Sequence, residues 1–225
     1  MGLTSPGGAD APAQSSAAAA PAAGPPSERL AASLESHHTT PPAVLDDLTR
    51  LDLATYRAIA GTSTPTLDEP LRRLSGIADH SKLWIGIAAL IAALGGPAGR
   101  RTAITALTAV MVNSLVVNLV LKLLGRRARP DRVAAHVSQA RHVPMPTSPS
   151  FPSGHAASAF AFVAALARTM PGVARWVRVL AYLVGYSRIH TGVHYPGDVV
   201  VGSFIGTAIG ETVAFAAGHR PRGSR

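Results

Sequence analysis

At 225 residues the chain has room for one domain and a tail. It has no cysteine, which excludes disulfide bonds and thiolate metal sites. A net charge of +9 would suit a nucleic-acid binder, but 47% of the residues are hydrophobic, which is typical of a small membrane protein with arginine-rich loops. We therefore expect a protein surrounded by membrane lipids, with no nucleic-acid partner.

The beginning of the chain predicts a tail followed by amphipathic helices. Residues 1–43 are rich in Ala, Pro, Ser and Gly and hold few side chains that could build a core, so we expect them to be disordered. Across residues 44–79 apolar side chains recur at helical spacing, with a Thr-Ser-Thr-Pro break at 62–65. We expect helices that lie at the membrane surface or against a helical bundle.

Residues 80–218 contain five apolar runs, each of which predicts a membrane-spanning helix. The runs are 83–98, 103–121, 156–167, 176–186 and 197–218. The second has nineteen residues without a charge, which is close to the length that spans a bilayer core. The predicted fold class is therefore all-α, an integral membrane bundle of about five transmembrane helices, with a basic tail at 219–225.

Small and polar residues within these runs predict how the helices pack. Three glycines of the fifth run lie four residues apart, on one helix face, and allow close packing. They are Gly202, Gly206 and Gly210. Asn113 and Asn118 are expected to face other helices, because lipid offers them no partner, although contact with substrate is an alternative. Glu211 is expected to pair with a neighbour or to reach water.

Residues 150–158, Ser-Phe-Pro-Ser-Gly-His-Ala-Ala-Ser, predict a loop that ends at a helix N-terminus. Pro152 suits the turn before a helix, Ser153 can cap it, and Gly154 lets a ligand approach the backbone closely. The free N–H groups at such an end favour an anion, above all phosphate. His155 lies at the same point and could transfer a proton there. The alternative is a simple helix cap.

Two further clusters flank this stretch. Upstream, six residues separate Lys122 from an Arg-Pro pair at Arg129. Downstream, Ser-Arg at Arg188 is followed by five residues, then His194, then three more, then Asp198. Each cluster lies at the end of an apolar run, so alternating spans would place all of them on one side of the bundle.

The patterns Lys-x6-Arg-Pro, Pro-Ser-Gly-His and Ser-Arg-x5-His-x3-Asp resemble the three signatures of the type 2 phosphatidic acid phosphatase (PAP2) family. They occur in the same order and spacing, and the resemblance covers roughly residues 66–218. The superfamily also holds vanadium haloperoxidases and bacterial acid phosphatases. The resemblance implies a PAP2-type membrane phosphatase domain at 80–218.

Phosphoryl transfer needs cations around the phosphate oxygens, a nucleophile in line with the leaving oxygen, and a proton for that oxygen. We expect five residues to bind the phosphate, two of them through backbone N–H groups. They are Lys122, Arg129 and Arg188 through their side chains, and Ser153 and Gly154 through the backbone.

A neutral imidazole can attack phosphorus when a carboxylate holds its other nitrogen as a donor. We therefore expect His194 to be the nucleophile and Asp198 to orient it. His155 would protonate the leaving alcohol and later take a proton from the attacking water. The resemblance implies the same three roles. We expect no metal or other cofactor, because the protein cations neutralise the charge.

Nearby residues of the same types have simpler interpretations. His190 lies one turn before His194, but His194 alone has the required spacing to both Arg188 and Asp198. Three further arginines, in the loop at 125–150, are expected to be solvated or to lie near lipid headgroups. They are Arg126, Arg127 and Arg132.

We expect a membrane lipid phosphatase that acts on a lipid phosphate monoester or diphosphate, of the polyprenyl or the phosphatidate type. One alternative is a vanadium haloperoxidase-like oxidase, since vanadate fits the same site, although those relatives are soluble. The other is a non-catalytic membrane protein that binds a lipid headgroup, for which the two histidines and the carboxylate would be superfluous. The sequence does not predict an oligomeric state.

The distribution of arginines predicts a multi-pass protein of the cell membrane whose site faces outward. The side away from the motifs carries eight arginines and almost no acids, which favours that side as cytoplasmic. They are Arg100, Arg101, Arg168, Arg175, Arg178, Arg220, Arg222 and Arg225. The arginines of the loop at 125–150 act in the opposite direction.

Overall fold

The computed structural model describes residues 41–122 and 126–218, whose regular structure is helical and which contain no β-strand. This confirms the predicted all-α class. Seven helices have the bounds α1 Pro41–Gly61, α2 Pro65–Ile77, α3 Lys82–Leu94, α4 Gly96–Val116, α5 Gly154–Ala167, α6 Pro171–His190 and α7 Pro196–Ala216. The predicted tails, apart from residues 41–43 of the first, lie outside the described residues.

Local sequence signals set the helix ends. Helices α1, α2, α6 and α7 each begin at a proline, where the missing N–H needs no partner. Helix α3 ends at Leu94, and Gly96 has a φ of 58°, a left-handed conformation that glycine adopts at little cost. Ser153 caps α5 as predicted, because its Oγ accepts a hydrogen bond from the backbone N–H of Ala156 at 3.4 Å.

Helix α5 is the centre of the bundle. Every residue from 156 to 166 is buried, and α4, α6 and α7 pack around it. A helix that is apolar on all sides needs this environment, whether protein or lipid supplies it. At 14 residues α5 is shorter than a bilayer core requires. Protein contacts therefore account for the apolar composition of this run, and its crossing of the membrane as a third span stays a prediction.

Among the described residues, two helices are long and apolar enough to cross a membrane, Gly96–Leu119 and Pro196–Ala216. They correspond to the second and fifth predicted spans. A third candidate is the pair Pro65–Ile77 and Asp79–Leu94, which is bent by 65°. Large apolar side chains are exposed on the bundle surface, as expected where a protein meets lipid. They include Ile104, Met111, Leu115, Trp176, Phe204 and Phe215. The total of five spans stays a prediction.

The glycine face of α7 packs directly on the backbone of α5. An added Cβ would lie 2.6 Å from the carbonyl oxygen of Ser153 at Gly202, and 2.0 Å from that of Ala157 at Gly206. At Gly210 it would lie 2.3 Å from the carbonyl oxygen of Ala161, one turn further along α5. This confirms the predicted close packing. Glu211, the next residue of α7, pairs with Arg168 at the end of α5, with 2.6 Å between Oε2 and Nη2, also as expected.

The close packing places the N-termini of α5 and α7 side by side. The backbone N–H of Ser153 donates to the carbonyl oxygen of Asp198 at 2.9 Å. Both helices therefore point the positive ends of their dipoles to the same side of the bundle. The C-termini of α4 and α6 lie at that side as well, because successive long helices alternate in direction.

The described residues from Asp46 onward form one compact unit, in which α2 and the part of α1 from Asp46 pack against the bundle. Tyr56 and Ala60 of α1 form a small core with Val137 and Ile189. A residue of the loop at 125–150, hereafter the long loop, caps the C-terminal end of α1. Arg141 donates to the carbonyl oxygens of Ile59, Ala60 and Thr62.

The contact between α5 and α7 predicts a large difference between two substitutions of the same type. Gly206→Ala should lower the free energy of unfolding by about 1–3 kcal/mol, because the new methyl group meets a backbone oxygen that cannot move freely. Gly86→Ala, at an exposed site of α3 where nothing lies within 4 Å, should be neutral or stabilise by up to about 1 kcal/mol. Thermal unfolding in detergent measures both, and equal effects would contradict the packing described.

Candidate active site

Four helix ends and two loops meet on one side of the bundle. Lys122 follows α4, Ser153, Gly154 and His155 begin α5, Arg188 lies in the last turn of α6, and Asp198 lies in the first turn of α7. The loops before α5 and α7 add Arg129 and His194. The structure thus brings all eight predicted site residues into one region.

His194 is a buried imidazole between a carboxylate and a guanidinium. Its Nδ1 lies 3.5 Å from Oδ2 of Asp198, which is longer than a normal hydrogen bond but within ion-pair range. Its Nε2 lies 3.3 Å from Nη1 of Arg129. Because guanidinium can only donate, Nε2 is the unprotonated nitrogen and Nδ1–H faces Asp198. This is the tautomer that leaves a lone pair on Nε2 for attack.

The environment keeps His194 neutral. Burial, together with the positive charges of Arg129 and Arg188, lowers the pKa of His194 to about 4 against the opposing effect of Asp198. At neutral pH the ring is therefore a base and not a cation, as a nucleophile requires.

The carboxylate of Asp198 is fully buried and held by several donors. Its Oδ2 accepts from the backbone N–H of Tyr195 at 2.9 Å and from the hydroxyl of Ser150. Its Oδ1 accepts from Nη1 of Arg127 at 2.9 Å. These contacts fix the orientation of the group that faces His194, and they compensate the cost of burying its charge.

Arg127 has a role that the sequence did not reveal. It was expected to be a solvated or headgroup-facing charge, and this is wrong. Its guanidinium bridges Asp198 to Asp52 of α1, with 2.6 Å between Nη2 and Oδ2 of Asp52, and lies 4.0 Å above the ring of Tyr195. Asp52 in turn accepts from the backbone N–H of Gly197 at 2.6 Å. No spacing rule links residues so far apart in sequence.

Lys122 and Arg129 converge on one loop residue, Ser148. The Oγ of Ser148 accepts from Nζ of Lys122 at 3.1 Å and from Nη2 of Arg129 at 3.2 Å. Arg129 also donates to the carbonyl oxygens of Ser148 and Val193, at 2.8 and 2.7 Å. Burial, and the charges of Arg129 and Arg188, lower the pKa of Lys122. Cations gathered in this way favour a bound anion.

Arg188 is the most buried of the three cations, at 1% exposure. Its Nη1 donates to Oγ of Ser75 in α2 at 2.5 Å and lies 3.6 Å from Oδ1 of Asp79. Its Nε–H is buried and has no hydrogen-bond partner among the described residues. An unpaired buried donor is costly, and a phosphate oxygen would satisfy it.

His155 has a carboxylate partner that the sequence motifs do not contain. Its Nε2 lies 2.7 Å from Oδ1 of Asp79, in the short turn that links α2 to α3. The next two residues, His80 and Ser81, both have left-handed backbone conformations, with φ of 56° and 60°. Such strain in two consecutive non-glycine residues is typical of functional sites. An acid in a break between helices was the signal available in the sequence.

His190 belongs to a separate polar cluster. Its Nε2 lies 3.0 Å from Oγ1 of Thr64 and 3.2 Å from Oδ1 of Asp68, which also accepts from the buried Arg141 at 2.8 Å. These contacts join α6 to α2 and the long loop. The structure therefore does not bring His190 to the cations of the site.

A helical membrane bundle that gathers a neutral histidine, its carboxylate and three cations has the groups that phosphoryl transfer requires. The chain belongs to the PAP2 superfamily, whose family model matches residues 103–218. It is 37% identical over 151 residues to the decaprenylphosphoryl-5-phosphoribose phosphatase of Mycobacterium tuberculosis, covering 67% of this chain and 81% of that relative.

Two solved structures have a similar fold. LpxE of Aquifex aeolicus has a TM-score of 0.59 and 26% identity, covering 72% of this chain and 94% of its own. A transmembrane PAP2-type phosphatidylglycerolphosphate phosphatase of Bacillus subtilis has a TM-score of 0.58 and 24% identity, covering 84% and 92%. The predicted family, the membrane location and the class of phosphoric ester hydrolase are thus confirmed. The named phosphatase relatives favour this class over an oxidase or a non-catalytic binder.

The depressed pKa of His194 can be measured directly. The pKa of the ring is 6.5 in the unfolded chain and about 4 in the folded protein. Between these pH values the ring is therefore protonated in the unfolded chain and neutral in the folded protein. This contribution to stability is present above pH 6.5 and is lost as the pH falls to about 4. Nitrogen NMR of the labelled histidines, assigned by comparison with His194→Ala, should show a neutral ring at pH 6. A ring that titrates near 6.5 would contradict the described environment.

Proposed function

We propose that the chain removes the terminal phosphate of a polyprenyl-linked lipid through a phosphohistidine at His194, without a metal ion. The observation that carries this proposal is the neutral His194 ring, whose Nε2 lone pair lies beside Arg129. When phosphate binds, the Arg129 guanidinium, which lies beside Nε2 in the empty site, can donate hydrogen bonds to a phosphate oxygen. This would place phosphorus close to Nε2, the nucleophile.

In the proposed first step, Nε2 of His194 forms a bond to phosphorus while the bond to the leaving oxygen breaks. His155 gives its proton to that oxygen, and an alcohol leaves. In the second step a water gives a proton to His155 and attacks phosphorus, the bond to Nε2 breaks, and inorganic phosphate is released. Lys122, Arg129 and Arg188 hold the phosphate oxygens throughout, which is the charge neutralisation that a metal supplies in other phosphatases.

We assign Asp79 a positioning role for His155. Because Nε2 is bonded to Asp79, the other ring nitrogen, Nδ1, remains for the leaving oxygen. Burial and the charges of Arg188 and Lys122 lower the pKa of His155, and the Asp79 carboxylate opposes them by favouring the protonated ring that a general acid needs. The two histidines thus have matching arrangements, each with an aspartate on the nitrogen that does not meet the substrate.

Two observations support a polyprenyl-linked substrate. The relative named as a decaprenylphosphoryl-5-phosphoribose phosphatase is 37% identical to this chain, and the alignment covers 81% of that relative. In this chain, apolar side chains are exposed along α4 and α7, the helices that carry Lys122 and Asp198 at one end. A long apolar chain could therefore lie against the bundle in the lipid while its headgroup reaches the site.

Trapping the intermediate tests the mechanism. With a radiolabelled aryl phosphate and an alkaline quench, wild type should yield a phosphohistidine and His194→Ala none. His155→Ala should accumulate label, because an aryl group leaves without an acid whereas hydrolysis of the intermediate slows by roughly 10²–10⁴-fold. Wild-type labelling should persist in EDTA.

The matched control is His190→Ala, which removes a buried histidine four residues earlier. It should keep the label. Loss of label in His190→Ala together with its retention in His194→Ala would show that His190, and not His194, is the nucleophile. Asp79→Asn should slow alcohol substrates more than aryl phosphates, and an equal effect on both would argue against the positioning role.

We further propose that the site faces the outside of the cell. Arg100 and Arg101 begin α4, and Arg175 and Arg178 lie in the first half of α6, all remote from the site end. On the site side, Arg127 and Arg141 of the long loop are paired with aspartates of α1, α2 and α7. With the three cations assigned to phosphate binding discounted, the arginines at the remote end favour that side as cytoplasmic.

Single cysteines in this cysteine-free chain report the orientation. Ser138 is exposed in the loop between α4 and α5, on the site side, and Gly172 lies in the first turn of α6, where a side chain meets nothing within 4 Å. On intact cells an impermeant maleimide should label Ser138→Cys, and should label Gly172→Cys only after permeabilisation. The reverse pattern would place the site in the cytoplasm.

A further inference from the structure

A cavity of about 170 Å³ opens beside His155 and Lys122. A single water needs about 15 Å³ measured in this way, so the space admits a group of several heavy atoms. It lies between α4, the start of α5 and the strained turn that carries Asp79. Besides His155 and Lys122, its lining includes His80, Ser81 and Val117.

The wall of this cavity is polar although it lies between apolar helices. Beyond the catalytic residues it presents two amides and two hydroxyls from α4 and α5, none of which carries a charge. They are Asn113, Asn118, Ser114 and Ser158. Asn113 and Ser158 are buried, whereas Ser114 is half-buried and Asn118 is exposed. Buried polar groups are costly unless all of their hydrogen bonds are made.

Asn113 carries the main argument. Its Nδ2 donates to Oγ of Ser158 at 3.1 Å, which joins α4 to α5 as expected of a polar residue in a bundle. Its Oδ1 is buried and has no hydrogen-bond partner among the described residues. If the amide were turned by 180°, its NH₂ group would be unpaired instead. In either orientation one end of a fully buried amide in the cavity wall awaits a partner.

The backbone around the cavity is irregular on two sides. Helix α4 widens into a π-helical turn at Val117–Leu121, which includes Asn118. Opposite it, His80 and Ser81 hold the left-handed conformations described above. Both features are frequent at functional sites and rare where helices merely pack.

We infer that this cavity binds the leaving alcohol of the substrate, and that this alcohol is an uncharged, polyhydroxylated unit such as a sugar. The inference rests on the proposed function, in which His155 protonates the leaving oxygen. The group attached to that oxygen must then occupy the space next to His155. Its hydroxyls can pair with the free end of Asn113 and with the hydroxyl of Ser158.

The same wall disfavours the other lipid phosphates. A prenyl chain esterified directly to the phosphate would leave the buried amide unpaired. A prenyl diphosphate would bring a second phosphate beside Lys122, but its ionised oxygens cannot donate a hydrogen bond to the unpaired Oδ1 of Asn113 as a sugar hydroxyl can. The preferred substrate is thus a phosphate monoester on a lipid-linked sugar.

The test compares substrates that differ in the leaving group, using the purified full chain in detergent. They are a polyprenylphosphoryl ribose 5-phosphate, a polyprenyl diphosphate and p-nitrophenyl phosphate. Wild type should prefer the sugar phosphate to the diphosphate by tenfold or more in kcat/KM. Asn113→Leu should lower the ratio of sugar-phosphate to aryl-phosphate kcat/KM by about tenfold or more, because a hydroxyl loses its buried partner.

Thr102→Val is the matched control. Thr102 is a buried residue of the same helix that makes an interhelical hydrogen bond to Thr169 at 2.9 Å, at the end remote from the cavity. It should leave the ratio unchanged, even if it lowers stability. Should Asn113→Leu fail to fold, Ser158→Ala decides, and it too should lower the ratio.

The outcomes separate the inference from the proposed function. A ratio unchanged in both Asn113→Leu and Ser158→Ala, or a wild-type preference for the diphosphate, would overturn the sugar subsite while leaving the phosphatase mechanism intact. Absence of phosphohistidine in wild type with all three substrates would overturn the proposed function itself.

Discussion

The site depends on one buried carboxylate. Asp198 is completely shielded from solvent and is tolerated there because Arg127, Ser150 and the backbone of Tyr195 surround it. The same carboxylate faces Nδ1–H of His194, so the lone pair of the ring is on Nε2, on the side of Arg129. Arg127 extends the arrangement to Asp52, which makes α1 a structural part of the site although no motif lies on it.

The helix directions provide the rest of the electrostatics. Close packing of α7 on α5 brings two N-termini together, and their free N–H groups and dipoles favour an anion. Lys122 and Arg188 instead follow or end helices whose C-termini favour cations. Each charged partner of the reaction therefore lies at the helix end that stabilises it. This arrangement requires glycine at Gly206, since any larger residue would separate the two N-termini.

The sequence predicted the parts of the site whose residues have fixed local spacing. Arg188, His194 and Asp198 lie within eleven residues, and Ser153 with His155 lies at a recognisable helix start, so alternating helices sufficed to bring them together. Arg127 and Asp79 were not predicted, because their partners are 71 and 76 residues away. The local signal for Asp79, an acid between two helical segments, does not indicate which residue it contacts. The apolar run of α5 was equally ambiguous, since a helix buried in protein and one buried in lipid have the same composition.

Asp79 shows how the empty and occupied sites can differ in the proposed mechanism. Its Oδ1 lies 2.7 Å from His155 but 3.6 Å from Arg188, so the first contact is a hydrogen bond and the second a weaker ion pair. A phosphate offers Arg188 more negative charge and a partner for its unpaired Nε. Arg188 would then exchange the carboxylate for the phosphate, while His155 keeps its own. Substrate binding would thereby leave Asp79 to the proton donor alone, at the step in which the leaving oxygen needs that proton.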